Sequence, residues 1–222
     1  MKRYKFMYKS GKKFKAQHGK ERFTIGEWLH KDGKPVLCKN GYHCSKGIGQ
    51  ALSYVQGDVL AVVEVKGKSD KQDDKECYSD MRIVKAYKWT KTDSVKLAIF
   101  AAEQVIDIFE KYNKEDKRPR EAIEAAKKYL ENPTKKNQDA AAAYAAYAAA
   151  YAAAAYAAAD AAGAAAYSAY AAAYAAYAAA DAAAARAHAA GAAADAAAHK
   201  KIITKIEKWL VNHLEELEEY ES

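Results

Sequence analysis

With 222 residues the chain has room for one large or two small domains, and its net charge of +7 comes from 36 lysines and arginines against 29 aspartates and glutamates. Three cysteines are an odd number, and the basic start (Lys2, Arg3, Lys5, Lys9, Lys12, Lys13, Lys15) has no apolar segment behind it. This argues against a disulfide framework and an export leader, so reduced thiols and a cytoplasmic location are expected. The tract from Asp139 to His199 is almost entirely alanine with regularly placed tyrosines and carries almost no nucleophile, base or metal ligand, which excludes it as a catalytic region.

The expected architecture is α+β, a small mixed N-terminal domain over 1–92 followed by an alanine-rich helical bundle over 93–222. In the first part, Asp32-Gly33 and Asn40-Gly41 are strong turn dipeptides, so Phe23 to Leu29, Val36 to Lys39 and Tyr42 to Cys44 read as extended segments. Ile48, Leu52 and Val55 then recur at helical spacing. Val59 to Lys66 is β-branched and bounded by glycines, as suits a central strand; Lys68 to Lys75 reads as a polar loop, and Met81 to Trp89 as a further strand.

Cys38, His43 and Cys44, with Cys77 and His30 at a distance, are the residues that invite chemistry. No C-x-x-C or H-x-x-x-H pair occurs, so no metal site is expected; His43 and Cys44, neighbours on one strand, point to opposite faces. Buried thiols and a hydrogen-bonded histidine are the expected reading. The stretch Gly41-Tyr42-His43-Cys44-Ser45, followed by a short helix with Ala51 and Tyr54 and then the strand Val59 to Val65, resembles a segment of the ADP-ribosyltransferase superfold. The resemblance implies a ligand pocket around Tyr42, His43, Ser45 and Tyr54 that would face the nicotinamide end of NAD, with Glu64 and Glu76 as nominal candidates for the acid. A shared fold with altered chemistry is expected, without a cofactor; an NAD-binding or ADP-ribosyl-transferring enzyme is the alternative.

Further along, Asp93 can cap a helix from Ser94 to about Tyr112 whose Val95, Ala98, Ile99, Ala102, Val105, Ile106 and Phe109 form an apolar face. Pro119 suits the first turn of the next helix, which Asn132-Pro133 stops after Glu131, and Thr134 is placed to cap the helix entering the alanine tract. Arg118 and Arg120 flank that proline, where either could contact an anion or a partner, or pair with an acid at a helix turn. In the tract itself, tyrosines spaced by about one helical turn mark a stripe, and Gly163 and Gly191 offer places to fold back. A single rod of about sixty residues would run to roughly 90 Å, so packed helices are expected. Alanine is nearly neutral for membrane insertion and Asp160 and Asp181 interrupt the run, so no membrane span is read. Ile202, Ile206, Trp209, His213 and Leu217 make a last amphipathic helix, with His213 beside its stripe.

Lys117-Arg118-Pro119-Arg120-Glu121-Ala122-Ile123-Glu124-Ala125-Ala126, then LENPT over Leu130 to Thr134 and the alanine run, resembles an alanine-rich immunity-protein-like helical domain of bacterial and phage genomes. The pattern LCKNGYHCS, VEVKGK, DDKECYSDMRIVKAYKW resembles an uncharacterised phage-encoded domain often joined to it. Together they imply a phage- or prophage-type binding protein that inhibits or sequesters a component of a host defence or competing system without catalysis. The partner is expected to be a protein, met by Tyr167, Tyr170, Tyr174 and Tyr177 on the helical domain, with the basic first domain steering association. Nucleic acid is the lesser alternative, because scattered lysine is more often a solvated surface and the arginine-plus-aromatic interleaving of a specific reader is absent.

Overall fold

The computed structural model describes residues 1–55, 57–112, 114–137, 139 and 192–221, and the fold is α+β. The chain divides into two compact units, Met1–Trp89 with Glu207–Ser222, and Thr90–Ile206. The final segment, expected in the helical domain, is therefore counted with the first unit.

Among the described residues of the first unit, β1 (Lys2–Ser10), β2 (Lys13–Lys15), β3 (Arg22–Phe23), β4 (Leu29–His30), β5 (Tyr42–Cys44), β6 (Val59–Lys71) and β7 (Glu76–Lys88) form one antiparallel sheet in the order β3-β2-β1-β6-β7-β4, with β5 also on β7. Gly11, at φ +60°, allows the tight β1–β2 turn, so the lysine-rich start is a hairpin. The segments read as extended at Phe23 to Leu29 and Val36 to Lys39 are mostly connections: only their ends at Phe23 and Leu29 lie in strands, and Val36 makes a single bridge to Asn40.

Lys68 to Lys75 is not a loop. β6 runs on to Lys71 and β7 starts at Glu76, so only 72–75 connect the two strands. The register shifts between Lys66 and Ser69, where Gly67 sits at φ +80°, and this bulge turns the hairpin while its polar side chains stay in solvent. Composition alone reads such an arm as loop.

The long edge of β7 is covered piecewise. β5 pairs with Glu76 to Tyr78, β4 with Asp80 and Met81, Ile25 bridges Ile83, and Glu219 bridges Tyr87. The C-terminal segment thus fills a strand position that would otherwise expose unpaired amides. At its far side β5 reaches β1, since Ser45 and Tyr4 exchange two backbone hydrogen bonds of 3.0 Å. β1, β6, β7 and β5 therefore close into a ring. Inside it, alternate residues Val59, Ala61, Val63 and Val65 of β6 meet Met7, Phe14, Phe23, Tyr42, Cys44, Tyr78, Met81 and Ile83 in one core.

On the other face, Phe6 meets Trp89 edge-on at 5.3 Å, and Trp89 meets His213, which stacks on Trp209 at 4.6 Å. His213 is buried and bonded through Nδ1 to Glu216 at 2.9 Å, a structural histidine as its position beside the stripe suggests. Helix α1 (Ile48–Tyr54) lies in this unit, as do the last turns of the long terminal helix.

In the second unit, α2 (Lys91–Glu103), α3 (Ile106–Tyr112), α4 (Arg118–Glu131) and the start of α5 (Ala192–His213) are described. Thr90, not Asp93, caps α2: its Oγ1 accepts from the Asp93 N–H at 3.3 Å, while the Asp93 carboxylate accepts from the Thr90 N–H at 2.8 Å. The reciprocal box starts the helix one turn earlier than the apolar spacing suggests. The expected single helix also breaks at Gln104 and Val105, whose N–H groups bond three residues back. Pro119 sits in the first turn of α4, and Thr134 Oγ1 accepts from the Asn137 N–H at 3.2 Å as a cap should. No described helix is long and apolar enough to cross a membrane.

Candidate functional site

The ring of the first unit has an apolar end and a polar end. Because Arg3, Lys5 and Met7 alternate on the inward face of β1, two cations enter the same interior as Met7. Cross-strand pairing puts Cys44 opposite Glu76 and Tyr42 opposite Tyr78, so these four share a face as well. Glu76 is 1 % exposed and accepts from Arg3 Nε at 2.6 Å, Arg3 Nη2 at 3.3 Å and Tyr78 Oη at 2.8 Å. Lys46 Nζ stands 3.8 Å away. Burial pushes the Glu76 carboxyl up, but the Arg3 and Tyr78 hydrogen bonds outweigh it and hold the group below the usual carboxylate range. Burial, then the neighbouring carboxylate, drives the Tyr78 phenol up to about 12.

Lys5 Nζ donates to the His43 carbonyl at 2.7 Å, just where β1 and β5 part after the Tyr4–Ser45 pair. The ammonium replaces the next ladder hydrogen bond. Burial brings it down to about 8, and the Cys44 thiol beside it is pushed up to about 12, again by burial. Neither thiol in the sheet is a poised nucleophile, since Cys77 is also buried and raised.

The sequence-derived pocket residues do not converge. Tyr42 lies in the core with its hydroxyl to the His30 carbonyl at 3.3 Å and its ring against Phe23. His43 points to the opposite face, where Nε2 accepts from the Cys38 N–H at 2.8 Å; burial and then Lys5 keep the imidazole below its ordinary pKa. This bond holds Cys38 in its left-handed conformation, φ 62°. Ser45 is buried, and its backbone closes the ring. Tyr54 is on the surface, hydrogen-bonded to Asp74, with Lys75 Nζ 5.1 Å from its ring centroid. Of the four, His43 and Tyr54 are linked through the Cys38 loop, because Lys75 Nζ also donates to Cys38 Sγ at 3.5 Å.

Of the two nominal acids, Glu64 is paired with Arg82 at 2.5 Å on the outer surface, and Glu76 is the one inside. Arg3, Lys5 and Tyr78 were not singled out from sequence; the alternation of Tyr4, Phe6 and Tyr8 with Arg3, Lys5 and Met7 was the available signal, obscured because both sets contain large side chains. Glu207 was missed too. Its carboxylate accepts from the Ile48 and Gly49 N–H groups at 3.0 Å each and caps α1 from the terminal helix.

Arg118 makes a two-pronged pair with Asp116 at 2.7 and 2.6 Å. Arg120 joins α4 to α3 through Glu110 at 2.6 and 2.7 Å and Asp107 at 3.4 Å. Both guanidinium groups are thus turned toward the chain's own carboxylates. Tyr167, Tyr170, Tyr174 and Tyr177 lie outside the described residues. Among the described residues no cluster of histidine, cysteine and carboxylate side chains could hold a metal ion.

Residues 1–94 match a sequence family described as a domain of unknown function (DUF7666). No curated protein and no solved structure matches the chain.

Proposed function

We propose that the protein works by binding, not by bond-making. In this reading it is a phage- or prophage-type protein of the cytoplasm that inhibits or sequesters a protein component of a host defence or competing system, with no cofactor. The observation that carries it is the state of Glu76. It is the buried acid inside the ring, and its oxygens already accept three hydrogen bonds from Arg3 and Tyr78. A catalytic acid or base must reach a substrate proton, and this one is committed to the fold. His43 and Cys44 support the same reading, one engaged through Nε2 with the chain and the other held neutral.

The contact surface is assigned by sequence to the helical domain, where Tyr170 and Tyr177 would offer rigid aromatic area at little entropic cost. The test has two arms. The purified chain, titrated against its captured partner, should abolish that partner's activity at one equivalent, and Tyr170→Ala with Tyr177→Ala should hasten dissociation. Incubation with labelled NAD and lysate should leave no label on any protein. Label transfer that disappears in His43→Ala or Glu76→Gln would replace binding with ADP-ribosyl transfer.

A further inference from the structure

The β1–β2–β3 ribbon has two unlike faces. Its inner face carries Phe14 and Phe23, both in the core, with Lys9 Nζ 4.3 Å from the Phe14 ring centroid. Its outer face is fixed by the register: Tyr8 opposes Lys15, Lys15 opposes Arg22, and Ser10 opposes Lys13. Lys12 stands at the turn and Lys20 in the connection to β3, both exposed. Lys13, Lys15 and Arg22 thus share one face with Tyr8, and Lys12 and Lys20 add exposed charge at the ribbon's connections.

No acid of the ribbon neutralises them. Glu21 is turned to Lys31, which donates to it at 2.8 Å, and Arg22 spends Nη1 on the carbonyls of Lys20 and Glu21. Asp58 accepts from the Lys9 N–H at the ribbon's edge. Among the described residues, Lys12, Lys13, Lys15 and Lys20 form no ion pair; Lys15 Nζ lies 6.0 Å from the Tyr8 ring centroid. Neighbouring strands are about 4.8 Å apart and alternate residues about 6.7 Å apart along a strand. These spacings lie within a Debye length of about 8 Å at physiological salt, so the potentials add. Like charges held this close weaken the fold unless something outside offsets them.

We infer that the outer face of the β1–β2–β3 ribbon is a docking surface for the phosphate backbone of a single-stranded nucleic acid, with Tyr8 as the base-stacking platform. Charge complementarity selects a polyanion. A protein partner is disfavoured on this face because an interface needs an apolar centre, and among the described residues the exposed large apolar ones, Met1, Trp28, Val36, Tyr54 and Val211, lie elsewhere. Lysines supply point charges that follow a backbone without reading bases, and one aromatic ring among them is the arrangement that holds unpaired bases in a sequence-tolerant way. This surface is separate from the protein-binding reading and does not rest on it.

The test measures anisotropy of a labelled oligothymidine of about fifteen nucleotides, within the range of site sizes for such surfaces, against the full chain over a salt series. Polyglutamate and phosphatidylserine vesicles serve as competitors. Oligothymidine should bind, and neither competitor should displace it at equal charge. Lys12→Gln, Lys13→Gln and Lys15→Gln combined should reduce the slope of log affinity against log salt by about 2, from about 0.7 per phosphate contact, and Lys13→Gln alone by about 0.7. Tyr8→Leu should weaken binding several-fold with the slope unchanged, which a purely electrostatic surface would not show. Displacement by polyglutamate or vesicles at equal charge, or an unchanged slope in the lysine variants, would overturn the inference.

Discussion

Arg3 and Glu76 meet at 2.6 Å across 73 positions of sequence, Arg3 from the first strand and Glu76 from the start of the last, with the carboxylate 1 % exposed. Their contact crosses the interior of the ring from β1 to β7 at its polar end, and the Tyr78 hydroxyl also donates to the carboxylate. A buried pair of this kind adds little net stability, because desolvation offsets much of the attraction, whereas a partner left alone is an uncompensated buried charge.

Breaking the pair from one side should therefore be costly. Arg3→Met leaves the Glu76 charge buried with only Tyr78 and the more distant Lys46, and a loss of about 3–5 kcal/mol is expected. Arg3→Met with Glu76→Leu should recover much of it. Urea denaturation of the native protein and the two variants checks both statements; equal losses in the single and the double variant would show that the pair is not coupled.

Acid should act through the same carboxylate. Its folded pKa is depressed, so the stability it contributes is present above the unfolded value of about 4.3 and is lost as pH falls through the folded one. The urea midpoint should drop below pH 4.3 in the native protein and less steeply in the Arg3→Met, Glu76→Leu protein.

Lys5 runs in the opposite sense from an ordinary lysine. Its folded value of about 8 lies below the unfolded value of about 10.4, so between these the unfolded chain holds the extra proton and stability rises with pH. Urea midpoints at pH 7.5 and pH 10 should show the native protein gaining relative to Lys5→Met, which lacks this titration. A parallel pH response in the two proteins would show that the ammonium is not desolvated at the β1–β5 gap.

The thiols should separate by burial. Cys38 is exposed, while Cys44 and Cys77 are buried and raised. One thiol per chain should react with a disulfide reagent in the native protein at neutral pH, and all three after unfolding. Cys38→Ser should abolish the fast phase.

Thr90→Ala removes the hydroxyl of the α2 capping box and should cost about 1 kcal/mol. Gly57→Ala should cost more, since an added Cβ would overlap the Met7 carbonyl, a backbone group that cannot swing aside. Thermal denaturation of both variants ranks them.

What the sequence determined by itself is local. The turns at Gly33 and Gly41, the strand cores at Tyr42 to Cys44 and Val59 to Lys66, Pro119 in the first turn of α4, and the terminal helix each follow from a few adjacent residues, because dihedral preference, capping and periodicity act within one or two turns of chain. The same locality fixed His43 and Cys44 on opposite faces. Tertiary structure alone decided which face of β1 is inside, and with it that Arg3 and Lys5 are interior cations and not surface charge. It also decided that polar residues of the β6–β7 arm are strand, that Thr90 starts α2, and that Glu207 caps α1. Each of these depends on a partner distant in the chain: a charged side chain on a strand takes the environment of the strand it faces, and that pairing is set by the closure of the whole ring through Tyr4 and Ser45.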